Sequence, residues 1–168
     1  NSDVGVVFSN LWLVKKDTKK KRLYINKKLP RGKIYDELID NYSIGIVTAV
    51  IRKKLYLKSK KKFDERFSIV GDFDLFTRLS KMCLYESIQE PLAFYRLHGK
   101  NFSTINKEKE IEEFESWMRE NKFNLSDLQT KKLQKNVNYR KFVNCKIDGK
   151  YKECINILLN SKIGLFNI

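Results

Sequence analysis

Two carboxylates stand two residues apart in Gly71-Asp72-Phe73-Asp74-Leu75, and a guanidinium follows at Arg78. A second guanidinium and the sole histidine return in Tyr95-Arg96-Leu97-His98, and Phe63-Asp64-Glu65-Arg66-Phe67 precedes the set. A carboxylate can take a proton from a hydroxyl at neutral pH. Guanidinium groups pair with phosphate through charge-assisted bonds, and neutral imidazole can ligate a divalent metal beside carboxylates. The plainer chemistry is structural: acids in the first turn of a helix offset its dipole, and on spacing alone that account outweighs a catalytic one. Asp74 lies about 200° around a helix from Asp72, so the two cannot face one point. Arg78 is four residues beyond Asp74, and an exposed or half-buried ion pair bracing the first turns is expected. Arg96 reads as a phosphate partner or a structural brace.

These residues need elements to hold them. Val4 to Val14 is β-branched and aromatic and ends in a charged, turn-prone run, so a buried strand is expected, with Leu23-Tyr24-Ile25 as a short partner. Spacing becomes helical at Ile34, Leu38, Ile39 and Tyr42, placing a short amphipathic helix over Lys33 to Asn41 after the Pro30-Arg31-Gly32 break. Ile44 to Ile51 reads as a second buried strand, and Lys53 to Phe67 receives no assignment. From Asp72 the period is helical, with Phe73, Phe76, Leu79 and Met82 on one face, Leu75 and Cys83 beside them, and Gly71 or Asp72 as N-cap. Pro91 opens an expected strand, Leu92 to His98, in which Leu92, Phe94, Arg96 and His98 point one way.

Beyond Asn106 only helices are expected. Ile111, Phe114, Trp117 and Met118 form one stripe, Ser126-Asp127-Leu128-Gln129 spells a capping box, and Tyr151, Cys154, Ile155, Leu158 and Leu159 form the stripe of a last helix. The expected organisation is therefore an α/β part over 1–104 and a helical tail over 105–168, arranged as a hairpin or bundle.

Composition bounds the function. The chain of 168 residues with 42% hydrophobic content can bury a real core. No apolar stretch approaches the roughly 18–20 residues of a membrane-spanning helix, so the sequenced part is expected to be soluble. Cys83, Cys145 and Cys154 form no C-x-x-C and leave an odd thiol, which fits neither a zinc site nor a disulfide framework and suits a reducing cytoplasm. A net charge of +15 invites nucleic acid as a partner. That partner is set aside, because the excess is scattered Lys in a sequence also rich in Asn and Ile, the bias of an AT-rich genome. The dense runs Lys15 to Arg22 and Lys58 to Lys62 fall in expected loops, as solvated charge or, second, as weak attraction to anionic lipid. Asn41-Tyr42-Ser43 and Asn101-Phe102-Ser103 spell glycosylation acceptors and are read as chance.

The phrases FDERF, GDFDLFTRL and YRLHGKNFS, in that order, resemble the F-D-E-x-F, E-D-x-D-L-x-x-R-L and Y-R-x-H-x-x-N-x-S of family 2 glycosyltransferases with the GT-A fold. Val4 to Asn10 and Ile44 to Arg52 resemble strands of the same family, so the likeness spans about residues 3 to 104. It implies a partial GT-A-like mixed sheet flanked by helices, and a chain that is the acceptor-side portion of an enzyme whose nucleotide-binding half is absent from this sequence. By the same resemblance Asp72 is the general base, taking the acceptor hydroxyl's proton as that oxygen attacks and inverts the anomeric carbon. Asp74, Arg78 and Arg96 would bind or orient substrate, and His98 would stand near the diphosphate and help hold Mg²⁺ or Mn²⁺, whose main acid ligands are expected upstream of Asn1. The departure is Gly71, where the family commonly has an acid.

The resemblance further implies a nucleotide-sugar donor and a glycan, lipid-linked or protein-linked acceptor. It implies a cytoplasmic location, with peripheral association at the inner face of a bacterial plasma membrane, and a fragment that does not turn over donor alone. The rival readings are a catalytically inactive interaction or scaffold domain and, behind it, a basic nucleic-acid-binding module. Glycoside hydrolysis needs two carboxylates facing each other across the scissile bond, which neighbours at one helix start do not offer.

Overall fold

The computed structural model describes residues 3–18 and 20–161 and is a mixed α/β protein. It divides into two compact units, Asn1–Ile105 and Asn106–Ile168.

The first unit is built on one long strand, β1 (Val4–Lys15). After it come β2 (Lys21–Leu23), α1 (Tyr35–Asp40), β3 (Val50–Ile51), α2 (Lys53–Lys58), α3 (Gly71–Ser80), β4 (Leu84–Leu97) and the short α4 (Phe102–Ile105). β4 runs parallel to β1 along nearly its whole length. β3 and β2 pair antiparallel with successive stretches of β1, at Val6–Val7 and at Trp12–Val14, and so share its other edge. The sheet is therefore mixed, with one parallel and two antiparallel pairings made by β1.

The core lies where α1 and α3 cover the sheet. Val6, Phe8 and Tyr85 from the strands meet Leu38 from α1, Leu75, Phe76 and Leu79 from α3, and Leu29, Ile34 and Ile44 from the connections. Each such side chain contributes about 1.5–3 kcal/mol by leaving water. Tyr85 stacks edge-on to Phe8, and its hydroxyl donates to the Phe76 carbonyl at 2.8 Å, so the one polar atom this tyrosine buries is satisfied. Desolvation there pushes the phenol pKa well above its ordinary value.

Several expected elements are corrected. Ile44 to Ile51 is not a buried strand: only Ile44 enters the core, a 3₁₀ turn occupies Ile46–Thr48, and Val47 and Val50 are 56% and 69% exposed. The cause is Thr48. Its hydroxyl accepts the Ser9 N–H and lies 2.8–3.0 Å from the Gly45 and Ser9 carbonyls, so a side chain replaces the backbone ladder that a continuing strand would supply. Asn10 acts similarly on the other partner. Its side chain holds both Ile25 backbone groups, so regular pairing in β2 ends at Leu23 although Tyr24 and Ile25 remain beside β1. β4 begins at Leu84, seven residues before Pro91, which sits inside the strand opposite Asn10 where the register is irregular. α3 starts at Gly71 with Val70 as N-cap and no side-chain cap bond, and Met82 lies beyond the helix, 46% exposed.

In the second unit α5 (Lys107–Glu120), α6 (Asp127–Ile147) and α7 (Tyr151–Ser161) pack in sequence order. Ser126 and Gln129 form the capping box that starts α6. Phe114 and Trp117 of α5 are buried, as are Leu133, Val137 and Phe142 of α6. Ion pairs from Arg140 to Glu110 and from Lys141 to Glu115 tie α5 to α6, while Gly149, at φ 72, reverses the chain into α7. The expected stripe of the last helix is a further correction: Cys154 alone of that stripe is buried, and Tyr151, Ile155 and Leu159 are exposed. Among the described residues no helix is long and apolar enough to cross a membrane.

Gly5 marks the tightest point of the first unit. A Cβ there would stand 2.5 Å from a Leu55 methyl and 2.6 Å from the Cys83 sulfur. Gly5→Ala should therefore lower stability by about 1–3 kcal/mol, measured as the urea midpoint of the full chain.

Candidate active site

The start of α3 is organised by one guanidinium. Arg78 bonds the Asp74 carboxylate through Nε at 3.0 Å and Nη2 at 2.7 Å, and reaches the carbonyls of Lys61 and Lys62, both at 2.6 Å. Asp74 is buried and Arg78 half-buried, so the pair is a brace within the protein and not a surface ornament. The expected ion pair is thus present, but more buried on its acidic side than an i,i+4 surface pair would be.

The loop so anchored carries FDERF. Asp64 is buried and receives a forked contact from Arg66, with Nε on Oδ1 at 3.0 Å and Nη2 on Oδ2 at 2.7 Å, and an ion pair from Lys61. The Arg66 bond, against a smaller opposing effect of burial, holds the Asp64 carboxyl well below the usual carboxylate range. Gly71, which opens the helix, faces the Cβ of Phe67 and the ring of Phe63 at 3.8–3.9 Å from where a side chain would begin. FDERF and GDFDLFTRL therefore make one unit, a loop folded over a helix start.

Asp72 sits in the first turn of α3 and is half-buried. Its Oδ1 accepts the N–H of Phe73 at 2.7 Å, satisfying one donor at the positive end of the helix dipole. Tyr42 lies beside it, with its ring edge-on to Phe73 at 5.5 Å. The Tyr42 hydroxyl is buried without a hydrogen bond of ordinary geometry. Burial first, and then the charge of Asp72, raise its pKa well above that of an ordinary phenol. The carboxylate is thus a close neighbour of the phenol. Sequence reasoning missed Tyr42, counting it as one apolar position of the α1 stripe. It actually follows the C-cap Asn41 and belongs to the α3 start.

The third phrase closes on itself. At the end of β4 the Asn101 amide accepts the His98 N–H at 2.9 Å and donates to the Arg96 carbonyl at 2.9 Å and the Tyr95 hydroxyl at 3.3 Å. Gly99, at φ 71, permits the reversal. His98 is exposed, and its Nδ1 accepts the Lys100 N–H at 3.3 Å, which leaves Nε2 as the nitrogen able to ligate. Arg96 is exposed on the same strand.

The structure thus brings Asp72, Asp74 and Arg78 together with Asp64 and Arg66. No hydrogen bond or ion pair joins Arg96 or His98 to them among the described residues. Among the described residues no three or more His, Cys, Asp and Glu side chains form a group that could hold a metal ion. The chain matches no protein-family model, no curated protein and no solved structure.

The depressed Asp64 pKa has a defined pH signature. A carboxyl near 3.9 when unfolded and lower when folded lends stability that is complete above about pH 4 and falls as the pH drops toward the folded value. Asp64→Asn should lower the urea midpoint at pH 7, and its deficit relative to the parent chain should shrink when both are measured near pH 3.

Proposed function

We propose that this chain is the acceptor-side portion of an inverting, nucleotide-sugar-dependent glycosyltransferase of family 2 with a GT-A-like fold, and that Asp72 is its general base. The observation that carries the reading is the ordered set FDERF, GDFDLFTRL and YRLHGKNFS, in which the first two phrases are physically one unit around Arg78. That arrangement separates the acids by role. Asp64 is held by Arg66 and Lys61, and Asp74 by Arg78, so both are structural carboxylates. Asp72 is more exposed than either of these two, at the positive end of α3 beside a buried phenol.

In the proposed step, the Asp72 carboxylate accepts a hydrogen bond from the acceptor hydroxyl. It takes that proton as the oxygen bonds to the anomeric carbon and the nucleoside diphosphate departs with the bonding electron pair. The positive end of the α3 dipole lies beside this carboxylate, and the buried Tyr42 phenol is its neighbour. Mg²⁺ or Mn²⁺ would neutralise charge on the departing diphosphate. Of the residues here, His98 through Nε2 and Arg96 are the ones the resemblance directs to that diphosphate. The acceptor is a glycan, lipid-linked or protein-linked hydroxyl, and the location is cytoplasmic or at the inner face of the plasma membrane.

The second reading, an inactive interaction domain, is favoured by Gly71, where the family usually offers a second acid. Transfer assays on the complete gene product separate the two. Asp72→Asn should reduce transfer by at least roughly a hundredfold, the usual scale of losing a general base, with donor binding by calorimetry nearly unchanged. Undiminished turnover in that variant would remove Asp72 from the mechanism, and absence of transfer with every nucleotide sugar in the parent protein would favour the scaffold.

A further inference from the structure

One face of the sheet in the first unit is open toward the C-terminal ends of β1 and β4. Register and strand alternation place Leu23, Trp12 and Phe94 in one row across β2, β1 and β4, and Lys21, Val14 and Arg96 in the next. The contact of the Lys21 ammonium with the Trp12 ring, 4.7 Å from its centroid, shows that β2 and β1 present these side chains on the same side. Leu92 and Phe94 stand two residues apart on β4 and are 64% and 67% exposed, a poor arrangement for side chains that only contact water. The same end of the sheet is ringed with charge. Lys15, Lys16, Lys20, Lys21 and Arg22 are exposed around the β1–β2 turn, with Asp17 the single acid in that segment, and the Lys16 N–H bonds the Leu97 carbonyl, tying the turn to the end of β4.

We infer that this face docks on an anionic lipid bilayer, with Leu92 and Phe94 entering the headgroup boundary and the lysines of the β1–β2 turn lying over acidic headgroups. Charge complementarity selects the occupant: lysines near a negatively charged membrane surface contribute about 1 kcal/mol each, and exposed apolar side chains add burial that charge alone does not supply. A single-stranded nucleic acid would need aromatic faces on which bases stack. Here the Trp12 ring already carries the Lys21 ammonium, which leaves Phe94 as the well-exposed aromatic of the two in that row. This surface deepens the membrane location in the transferase reading by naming the face that would meet lipid, and a vesicle assay tests it without using Asp72 or any step of sugar transfer.

The test is flotation of the full chain with vesicles of phosphatidylcholine alone and of phosphatidylcholine mixed with phosphatidylglycerol. Capture should require phosphatidylglycerol and fall with salt. Lys20→Glu with Lys21→Glu should abolish it, and Leu92→Ser with Phe94→Ser should weaken it roughly tenfold while the far-ultraviolet circular dichroism is unchanged. In the parent chain Trp117 is buried in the second unit, so brominated phosphatidylglycerol should quench the emission of Trp12. Three results would overturn the inference: capture untouched by the Leu92 and Phe94 changes, bound protein whose Trp12 is not quenched, or binding to single-stranded RNA with no vesicle capture.

Discussion

Arg78 is the residue on which the candidate site depends. Its guanidinium joins a helix to a loop by holding the buried Asp74 carboxylate and two backbone carbonyls. A buried charge survives only when it is paired and its remaining donors are used. Arg78 meets this condition by spending its donors in three directions, with the planar geometry a lysine could not reproduce. Because the loop is held there, Asp64 can be buried under Arg66, Phe63 and Phe67 can pack at the first residue of α3, and the helix can begin where no side-chain cap starts it.

The same constraint distributes the acids. Four carboxylates lie within eleven residues, Asp64, Glu65, Asp72 and Asp74, and proximity in sequence would suggest similar roles. Burial and partners divide them: Asp64 and Asp74 are buried and paired with cations, Glu65 is exposed on the loop, and Asp72 is half-buried at a helix start beside the Tyr42 phenol. Charge that is neutralised on the spot serves architecture. Charge held at the edge of the fold is what a reaction or a ligand can use.

The open sheet face follows from how β1 is paired. A twelve-residue strand is covered on one side by α1 and α3 only over its first part, around Val6 and Phe8, because those helices are short. Its later residues continue past them with β2 and β4, so apolar side chains that would be core in a longer layered domain stand in the open. Exposed lysines and an arginine crowd the same end of the sheet.

Local pattern determined much of this protein. The strand over Val4 to Val14, the helix beginning near Asp72, the α1 helix, the capping box at Ser126 and the Asp74–Arg78 pair were legible because each depends on near neighbours: alternation, a 3.6-residue period, or an i,i+4 spacing. Tertiary structure decided what those periods could not encode. Ile44 to Ile51 has the composition of a buried strand, yet the Thr48 hydroxyl displaced the ladder; Pro91 looks like a strand start, yet it sits at an irregular register inside β4; Tyr42 reads as a helix face, yet it lies against Asp72 and Phe73. In each case the deciding partner is distant in the chain, as Ser9 is from Thr48 and Asn10 is from Pro91, and a hydrogen bond or a register between distant segments leaves no local period to read.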